Sequence, residues 1–382
     1  MVIDQLQVIL LISTMALLQI AKSFISQVLT VTDDLRSIVF GRHIGLPFQI
    51  SAITPVIPNM FATSSISGFS LDSAGLIALA DLGTISQRTA LIGTGSFLDV
   101  LLLVPGIHRQ QDASRVNGGE LPITGAMTSG YVFRVENQGT VSFLQKIGET
   151  GCLVTVRVTQ QVKQRWWSPS GLATSDFSAA ILYLLGVLLT PLALVVLGVI
   201  RDFWAGGVLL LLMLARLLNV VVIKRRTVIG WKGAKEEGVE GDLMILLSQD
   251  RWIRMRGLVD DLKAVTSGEW LRDETSIEGF ATAFATLLVY LSAALASNAS
   301  TVGSLIIAGL LLVSVALLGL CNSMTEKFQM FSRIVHKEGE VKRYIRRLDM
   351  AKEFIASSGR DDWAIGMGLI VPPANQLHAV GV

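Results

Sequence analysis

The side chains best placed to do chemistry in this 382-residue chain are charged residues inside apolar runs. Arg216 lies in the run 209–223, about two turns before Lys224, and Asn219 lies one turn further on the same helical face. A charge at the centre of a bilayer costs roughly 2.5–3.5 kcal/mol on insertion scales, and as a rule it faces the protein interior. Arg216 and Asn219 are therefore candidates to bind an anion, such as a carboxylate or phosphate. The alternative is that Arg216 lays its stem along the apolar surface and reaches the headgroups. Asp99 sits in the middle of the apolar run 89–107. In a dry pocket its carboxyl would stay neutral and could act as a general acid towards an alkene or epoxide. Facing water, or paired with Arg88 or Arg109, it would be an ordinary carboxylate. Asp72 and Asp81 precede it, and Asp72 also fits the N-cap of a helix over 74–80.

A second set of residues could recruit partners. Trp252 sits in the alternating stretch 251–256, and Lys342, Arg343, Arg346 and Arg347 sit in a basic tail. In that tail Phe328, Phe331, Ile334, Val335, Val341, Ile345 and Leu348 recur at threes and fours, which predicts an amphipathic helix over 325–357. Trp252 and the four basic residues are candidate contacts for a cytosolic protein or for anionic lipid. Asp250, Arg251, Arg254, Arg256, Asp260, Asp261 and Lys263 form a dense charged group, but alternate charges are also the wet face of a half-buried hairpin. Their mixed signs argue against nucleic acid.

Several chemistries are not indicated. The chain has no G-x-x-x-x-G-K-[ST] run, and Gly93-Thr94-Gly95-Ser96-Phe97 completes neither G-x-G-x-x-G nor G-x-S-x-G. His43, His108, His336 and His378 show no metal-ligand spacing, and no paired-aspartate run suits magnesium–diphosphate chemistry. Two cysteines, Cys152 and Cys321, exclude a disulfide framework and a four-thiolate zinc site. No metal and no cofactor is expected.

The elements that must position these residues are mostly membrane helices. Residues 177–200 and 203–223 are separated only by Arg201 and Asp202, and 280–296 and 302–320 flank the polar turn 297–301. A helix rising 1.5 Å per residue needs about 20 residues to cross a hydrocarbon core of ~30 Å, close to the length of each run. Composition agrees: 51% of residues are apolar and 16% charged, against roughly a quarter charged in a globular domain. Ten Lys and Arg fall in 224–272 and nine in 327–360, against one and none in the two tight turns. The positive-inside rule then puts 110–170, 224–276 and the C-terminus in the cytosol. Asn298-Ala299-Ser300 forms a glycosylation sequon too close to the membrane to be used, and Trp166, Trp167 and Trp204 mark the interfaces.

The N-terminal third is less regular. Residues 8–21 resemble a signal-peptide core, but the only preceding charge is Asp4, so a retained membrane helix reaching about residue 29 is expected. The uncharged stretch 44–71 is broken by Pro47, Pro55 and Pro58. It fits a kinked span, a re-entrant loop or an interfacial segment. The run 89–107 fits either a span or a buried helix, and 110–119 reads as an exposed loop. Period-two patterning predicts strands at 131–135, 153–158, 242–247, 251–256 and 262–265.

The stretches 40–48 (Phe-Gly-Arg-His-Ile-Gly-Leu-Pro-Phe) and 241–271 (opening Gly-Asp-Leu-Met-Ile-Leu-Leu-Ser-Gln-Asp-Arg-Trp) resemble a group of uncharacterised fungal polytopic membrane proteins. The resemblance implies a fungal endomembrane or plasma-membrane protein and, because some such proteins are encoded near natural-product pathways, a lipophilic small-molecule ligand. It supplies no catalytic residues.

The expected fold is a mainly α, polytopic helical membrane protein with two transmembrane hairpins and a small cytosolic β-rich module. Its expected parts are a membrane-associated region over 1–109 with one to three weak spans, a β-like segment over 110–170, a hairpin over 171–223, a β-like connector over 224–276, a second hairpin over 277–322, and a basic helix and tail over 323–382. The leading functional expectation is an accessory or scaffold in the endoplasmic reticulum or plasma membrane, held by the lipid bilayer and recruiting cytosolic proteins. The alternatives are a membrane-embedded terpenoid or polyketide cyclase using Asp99, and a carrier or channel binding an anionic solute at Arg216.

Overall fold

The computed structural model describes residues 74–160 and 177–371, all within the second of the chain's two units, 63–382. The expected helix over 8–29, the proline-broken stretch 44–71, Asp72, and Trp166 and Trp167 lie outside the described residues. In chain order, α1 (Ala74–Ala78) and α2 (Thr84–Ile92) are followed by two 3₁₀ segments, Phe97–Leu101 and Ile107–Arg115. Next come β1 (Ile123–Ala126), β2 (Val132–Arg134), α3 (Gln138–Ile147) and β3 (Cys152–Gln160). The long helices α4 (Phe177–Val199) and α5 (Phe203–Arg226) precede β4 (Glu240–Leu247), β5 (Arg251–Leu258) and α6 (Val259–Thr266). The second long pair, α7 (Ser276–Leu295) and α8 (Thr301–Met324), leads into β6 (Lys327–Met330), β7 (Arg333–Lys337), β8 (Lys342–Arg343), α9 (Arg347–Ser358) and α10 (Asp362–Gly366).

α4, α5, α7 extended by a 3₁₀ turn to Asn298, and α8 are each long and apolar enough to cross a membrane. Consecutive helices are not the principal packing partners. α4 lies mainly against α8 and α5 mainly against α7, whereas α7 and α8 scarcely touch. The space this leaves is filled from 74–115: α1 wedges between α7 and α8, the first 3₁₀ segment lies against α4 and α5, and the second lies against α5 and α7.

The two tight turns meet at their helix caps. Asp202, the N-cap of α5, accepts from Ala205 N–H at 3.0 Å through Oδ1. Its Oδ2 accepts from Ser300 N–H at 2.9 Å and Ser300 Oγ at 2.5 Å. Ser300 is the N-cap of α8, 98 residues further on, and its own Oγ accepts from Gly303 N–H. Only glycine fits at 303, because a Cβ there would stand 2.0 Å from Asp202 Oδ2. Equivalent caps of two like-oriented helix pairs thus bind each other, as a two-fold axis along the helices would arrange.

The strands form one mixed sheet in the order β2-β1-β4-β5-β3-β7-β6, with β8 on the far end of β3. β3 and β5 are parallel and the other neighbours antiparallel. Alternation puts Ile245, Ile253, Val154 and Val156 on one face, against α2, α3, α6 and Ile223 of α5. The other face carries Met244, Trp252 and Leu153 and is covered by Met350 and Phe354 of α9 and Trp363 of α10.

Several expectations are corrected. The tail over 325–357 is not one amphipathic helix. β6 and β7 form a hairpin turning at Phe331 and Ser332, both at positive φ, and only Arg347–Ser358 is helical. The apparent helical spacing joined residues on either side of a two-residue turn. Residues 262–265 are helical within α6, not a strand. The run 89–107 is not one helix: α2 stops at Gly93, whose αL conformation lets its N–H close the last turn on Ala90. Nor is 110–119 a plain exposed loop, since Gln110 and Ala113 are fully buried.

Trp252 is likewise no free contact. It is 3% exposed, packed in the outer core edge-on to Tyr344 at 6.2 Å. Lys342 pairs with Glu353 at 2.5 Å and Arg347 with Asp250, while Arg343 and Arg346 are exposed. The stretch 241–271, which carries part of the fungal resemblance, is the β4–β5–α6 unit of this sheet.

Trp252→Ala should cost about 3–5 kcal/mol of stability through the cavity it leaves, read as a lowered midpoint of thermal unfolding; an unchanged midpoint would mean that the side chain is not core. At the turns, Asp202→Ala should cost about 1–3 kcal/mol. In a double-mutant cycle Ser300→Ala should then add little, whereas fully additive losses would show that the caps act separately.

Candidate functional site

Asp99 and Arg216, picked out separately in the sequence, belong to one buried cluster. Its scaffold is the irregular stretch 93–115, which enters between the long helices from the end nearest the sheet. Ser96 and Asp99 form a capping box that opens the 3₁₀ segment Phe97–Leu101: Ser96 N–H donates to Asp99 Oδ2 at 2.8 Å, and Ser96 Oγ accepts from Leu98 N–H. The other carboxylate oxygen, Oδ1, accepts from the Tyr183 hydroxyl at 2.8 Å. Tyr183 is six residues into α4, about 9 Å along its axis. Leu101, Leu102, Leu103 and Val104 then bury themselves among the helices at 6% exposure or less. Leu102 packs closely on Gly186 of α4, where a Cβ would stand 2.6 Å from Leu102 Cδ1. The chain turns back near His108, whose ring stands 6.3 Å from that of Tyr290, well along α7.

The returning segment Ile107–Arg115 completes the cluster. Arg216 is ten residues from the sheet end of α5, about 15 Å along the axis. It is 1% exposed, so its guanidinium does not reach out to headgroups. Nε donates to the backbone carbonyl of Asp99 at 3.2 Å and Nη1 to Gln110 Oε1 at 2.7 Å. Gln110 in turn reaches Thr89 Oγ1 at 3.4 Å. Asn219 is also buried, accepting from Gln111 Nε2 at 3.1 Å and donating to Ala215 O at 3.1 Å. Arg226 Nη1 links Gln111 to Glu274 and ties this array to the linker before α7.

Neither arginine suggested as a direct partner of Asp99 serves as one. Arg109 pairs with Asp81 and with Asp112 at 3.0 Å, in a groove also lined by Ser86, Gln87 and Arg115. Arg88, 2% exposed, lies over the Tyr183 ring, 5.3 Å from its centroid. Two buried guanidiniums therefore surround one buried carboxylate.

This arrangement bears on each proposed chemistry. Both oxygens of Asp99 accept hydrogen bonds, so its geometry is that of a carboxylate held in place, not of an acid presenting a proton to a substrate. Arg216 is occupied by two protein acceptors and acts first as a strut. The site does not gather Trp252, Lys342, Arg343, Arg346 or Arg347, which belong to the sheet domain. Among the described residues, no group of three or more His, Cys, Asp or Glu is placed to hold a metal ion. A second depression, over the 229–238 loop, is lined by Trp231, Lys232, Lys235, Glu236, Asp260 and Arg333. Its charges are of both signs, and its Trp231 and Glu236 are engaged by Lys263, which lies over the Trp231 ring and pairs with Glu236.

Tyr183 and Gln110 were missed in the sequence. Tyr183 is one aromatic in a helix otherwise rich in Leu and Val, and Gln110 opens a stretch whose composition is that of a loop. The available signal was Gly93, Gly95 and Pro105: they break the run 89–107, so the polar residues beyond it had to fold back against the helices. Comparison of the chain with models of known families, with curated proteins and with solved structures gives no match.

Tyr183→Phe should destabilise the protein by about 1–3 kcal/mol, because it leaves Asp99 Oδ1 buried without a donor. Asp99→Asn should cost a similar amount, and the double variant no more than the worse single one. Thermal unfolding in detergent measures all three; simple addition would mean that the two side chains do not act as a pair.

Proposed function

We propose that this is a multi-pass membrane protein that carries or conducts a small anion, with α4–α5 and α7–α8 as transmembrane hairpins and the sheet domain in the cytosol. The observation that carries the reading is the buried charge excess: Arg88 and Arg216 against Asp99, each at 3% exposure or less. Arginine is charged at every pH the protein meets. Burying such a group in an apolar bundle is costly, and ionisable residues inside membrane segments as a rule mark ion or substrate paths. An anchor would need none of them.

Two further features support it. The stretch 93–107 is irregular backbone set among the four helices, and at membrane depth such backbone is tolerated only inside protein or along a water-filled cavity. It is a re-entrant segment in this reading, and discontinuous segments of this kind build the sites of many carriers. The cap-to-cap contact of Asp202 and Ser300 and the pairing of α4 with α8 and α5 with α7 fit two parallel repeats around an axis along the membrane normal. The ten Lys and Arg of 224–272 and nine of 327–360 support the cytosolic placement of the sheet.

The cyclase reading loses support from the doubly hydrogen-bonded Asp99. An accessory or scaffold role keeps one specific observation: Ile345 is 95% exposed between the exposed Arg343 and Arg346, a projection suited to an anionic partner.

Reconstituted in liposomes, the full chain should support anion flux above empty vesicles, tested with chloride, nitrate, acetate and phosphate. Arg216→Gln should lower that flux at least tenfold, while Arg343→Gln with Arg346→Gln should leave it intact. No flux of any of the four anions would sink the transport reading and leave the scaffold.

A further inference from the structure

Arg88 is the buried charge that the cluster does not satisfy. It sits on α2 at 2% exposure and makes no ion pair with any described residue. Its Nη1 has one long hydrogen bond, to Thr325 Oγ1 at 3.3 Å, and its buried Nε has no partner. Arg216, by contrast, is held at 2.7 and 3.2 Å by two acceptors.

The groups around Arg88 do not supply the missing charge. Tyr183, beneath the guanidinium, gives its hydroxyl proton to Asp99 and is a neutral donor. The Cys321 thiol, also nearby, donates to Ala179 O at 3.2 Å and is likewise neutral. Asp99 lies beyond the Tyr183 ring and already faces Arg216. The other charged neighbour, Lys146 on α3, is a second cation. Its Nζ donates to Asn322 O at 2.7 Å and Thr325 O at 2.6 Å, the last carbonyls of α8. The Lys146 stem is exposed, but partial desolvation of its ammonium holds it below its ordinary value, and Arg88 pushes in the same direction. Glu326, an exposed carboxylate, acts on Lys146 in the opposite direction.

A buried guanidinium and an exposed ammonium thus both reach Thr325, and no carboxylate among the described residues forms an ion pair with either. An unpaired charge in a dry site is expensive, and the ordinary remedies are a partner, a metal or a change of protonation. Arginine lacks the last, and a metal would have the wrong sign. We infer that Arg88 and Lys146 form a binding site for a small monatomic anion of chloride size, at the junction of α2, α3 and the C-terminal end of α8. The enclosed Nε favours a compact ligand over a polyatomic one. The site lies where the sheet domain meets the helices, one aromatic ring from Asp99, so it serves as the entry station of the proposed path. That role rests on the transport reading, whereas binding itself can be measured without any flux.

The test is thermal unfolding of the purified full chain in detergent, in sodium chloride and in sodium gluconate at equal ionic strength. Chloride should raise the midpoint saturably relative to gluconate. Arg88→Gln should abolish that shift, yet its midpoint in gluconate should not fall below that of the unaltered protein, since an unpaired charge has been removed. Arg88→Lys should keep part of the shift, and Arg115→Gln, at an exposed arginine, should keep all of it. The inference is overturned if the unaltered protein does not distinguish the two salts, if Arg88→Gln keeps the shift, or if Arg88→Gln lowers the midpoint equally in both salts. A response to phosphate or acetate in place of chloride would overturn the monatomic assignment. A chloride shift without flux would leave the site standing and remove transport, whereas flux without a chloride shift would remove the site alone.

Discussion

The structure depends on the Arg216 guanidinium reaching across the bundle to the Asp99 carbonyl and the Gln110 amide. Those two acceptors sit on the inward and outward limbs of one irregular stretch, so a single side chain on α5 holds both limbs against the helices. Without such a strut, backbone that is neither helix nor strand would have little reason to stay among apolar side chains, because its own N–H and C=O groups are incompletely paired. The remaining contacts follow from this one. Asp99 is presented to Tyr183 because its backbone is anchored, Gln111 meets Asn219 because Gln110 is fixed, and Leu101 to Val104 are driven into the gap between the helices. Polar hydrogen bonds set the geometry and apolar burial supplies the bulk of the free energy, a division common to buried polar networks.

A second constraint acts at the opposite end. The long helices diverge enough to admit 74–115, and helices splayed in this way need a fixed point. Asp202 provides it by binding the N-cap of α8 while capping its own helix. One carboxylate therefore satisfies donors of both turns, which is why the chain there can be short and why a side chain at Gly303 has no room. The bundle is pinned at its turns, wedged by 74–115 and sealed by the sheet, whose inner face shares Ile223, Ala90 and Leu91 with the helical part. The sheet and helices therefore form a continuous core and are not beads on a string.

The long helices were legible because their signal is composition over twenty residues, which no local accident can imitate. The strands at 153–158, 242–247 and 251–256 were legible because one face there is buried and the other only partly covered, so apolar and polar residues alternate. Three things were not. The β6–β7 hairpin hid behind a helical spacing, since Phe328 and Ile334 lie on either side of a turn that Phe331 and Ser332 make at positive φ, a conformation these residue types seldom signal. The burial of Trp252 was hidden because Arg254 and Arg256 share its face of the strand, and its cover, Met350, Phe354 and Trp363, comes from a distant stretch of chain. The polar cluster was half visible. Arg216 and Asp99 stood out by being charged in apolar runs, but Tyr183 and Gln110 are ordinary for their surroundings, and only tertiary proximity joins them to the cluster. Nothing in the spacing of positions 99, 110, 183 and 216 could have joined them, because they lie on four separate elements, two 3₁₀ segments and two long helices, that meet only through packing.

Charge accounting explains why the cluster matters beyond stability. A structural salt bridge would pair one arginine with one carboxylate and close the books, and even then the desolvation cost would absorb most of the gain. Here the second guanidinium stacks on a tyrosine ring, an interaction worth about 0.5–2 kcal/mol, against several for leaving a charge unpaired in a dry site. Cation–π contact alone does not balance the cost of Arg88, and the carbonyls that hold Lys146 do nothing for it. Selection for stability alone would favour an uncharged residue at position 88. An anion seated beside Arg88, as proposed above, would offset that cost.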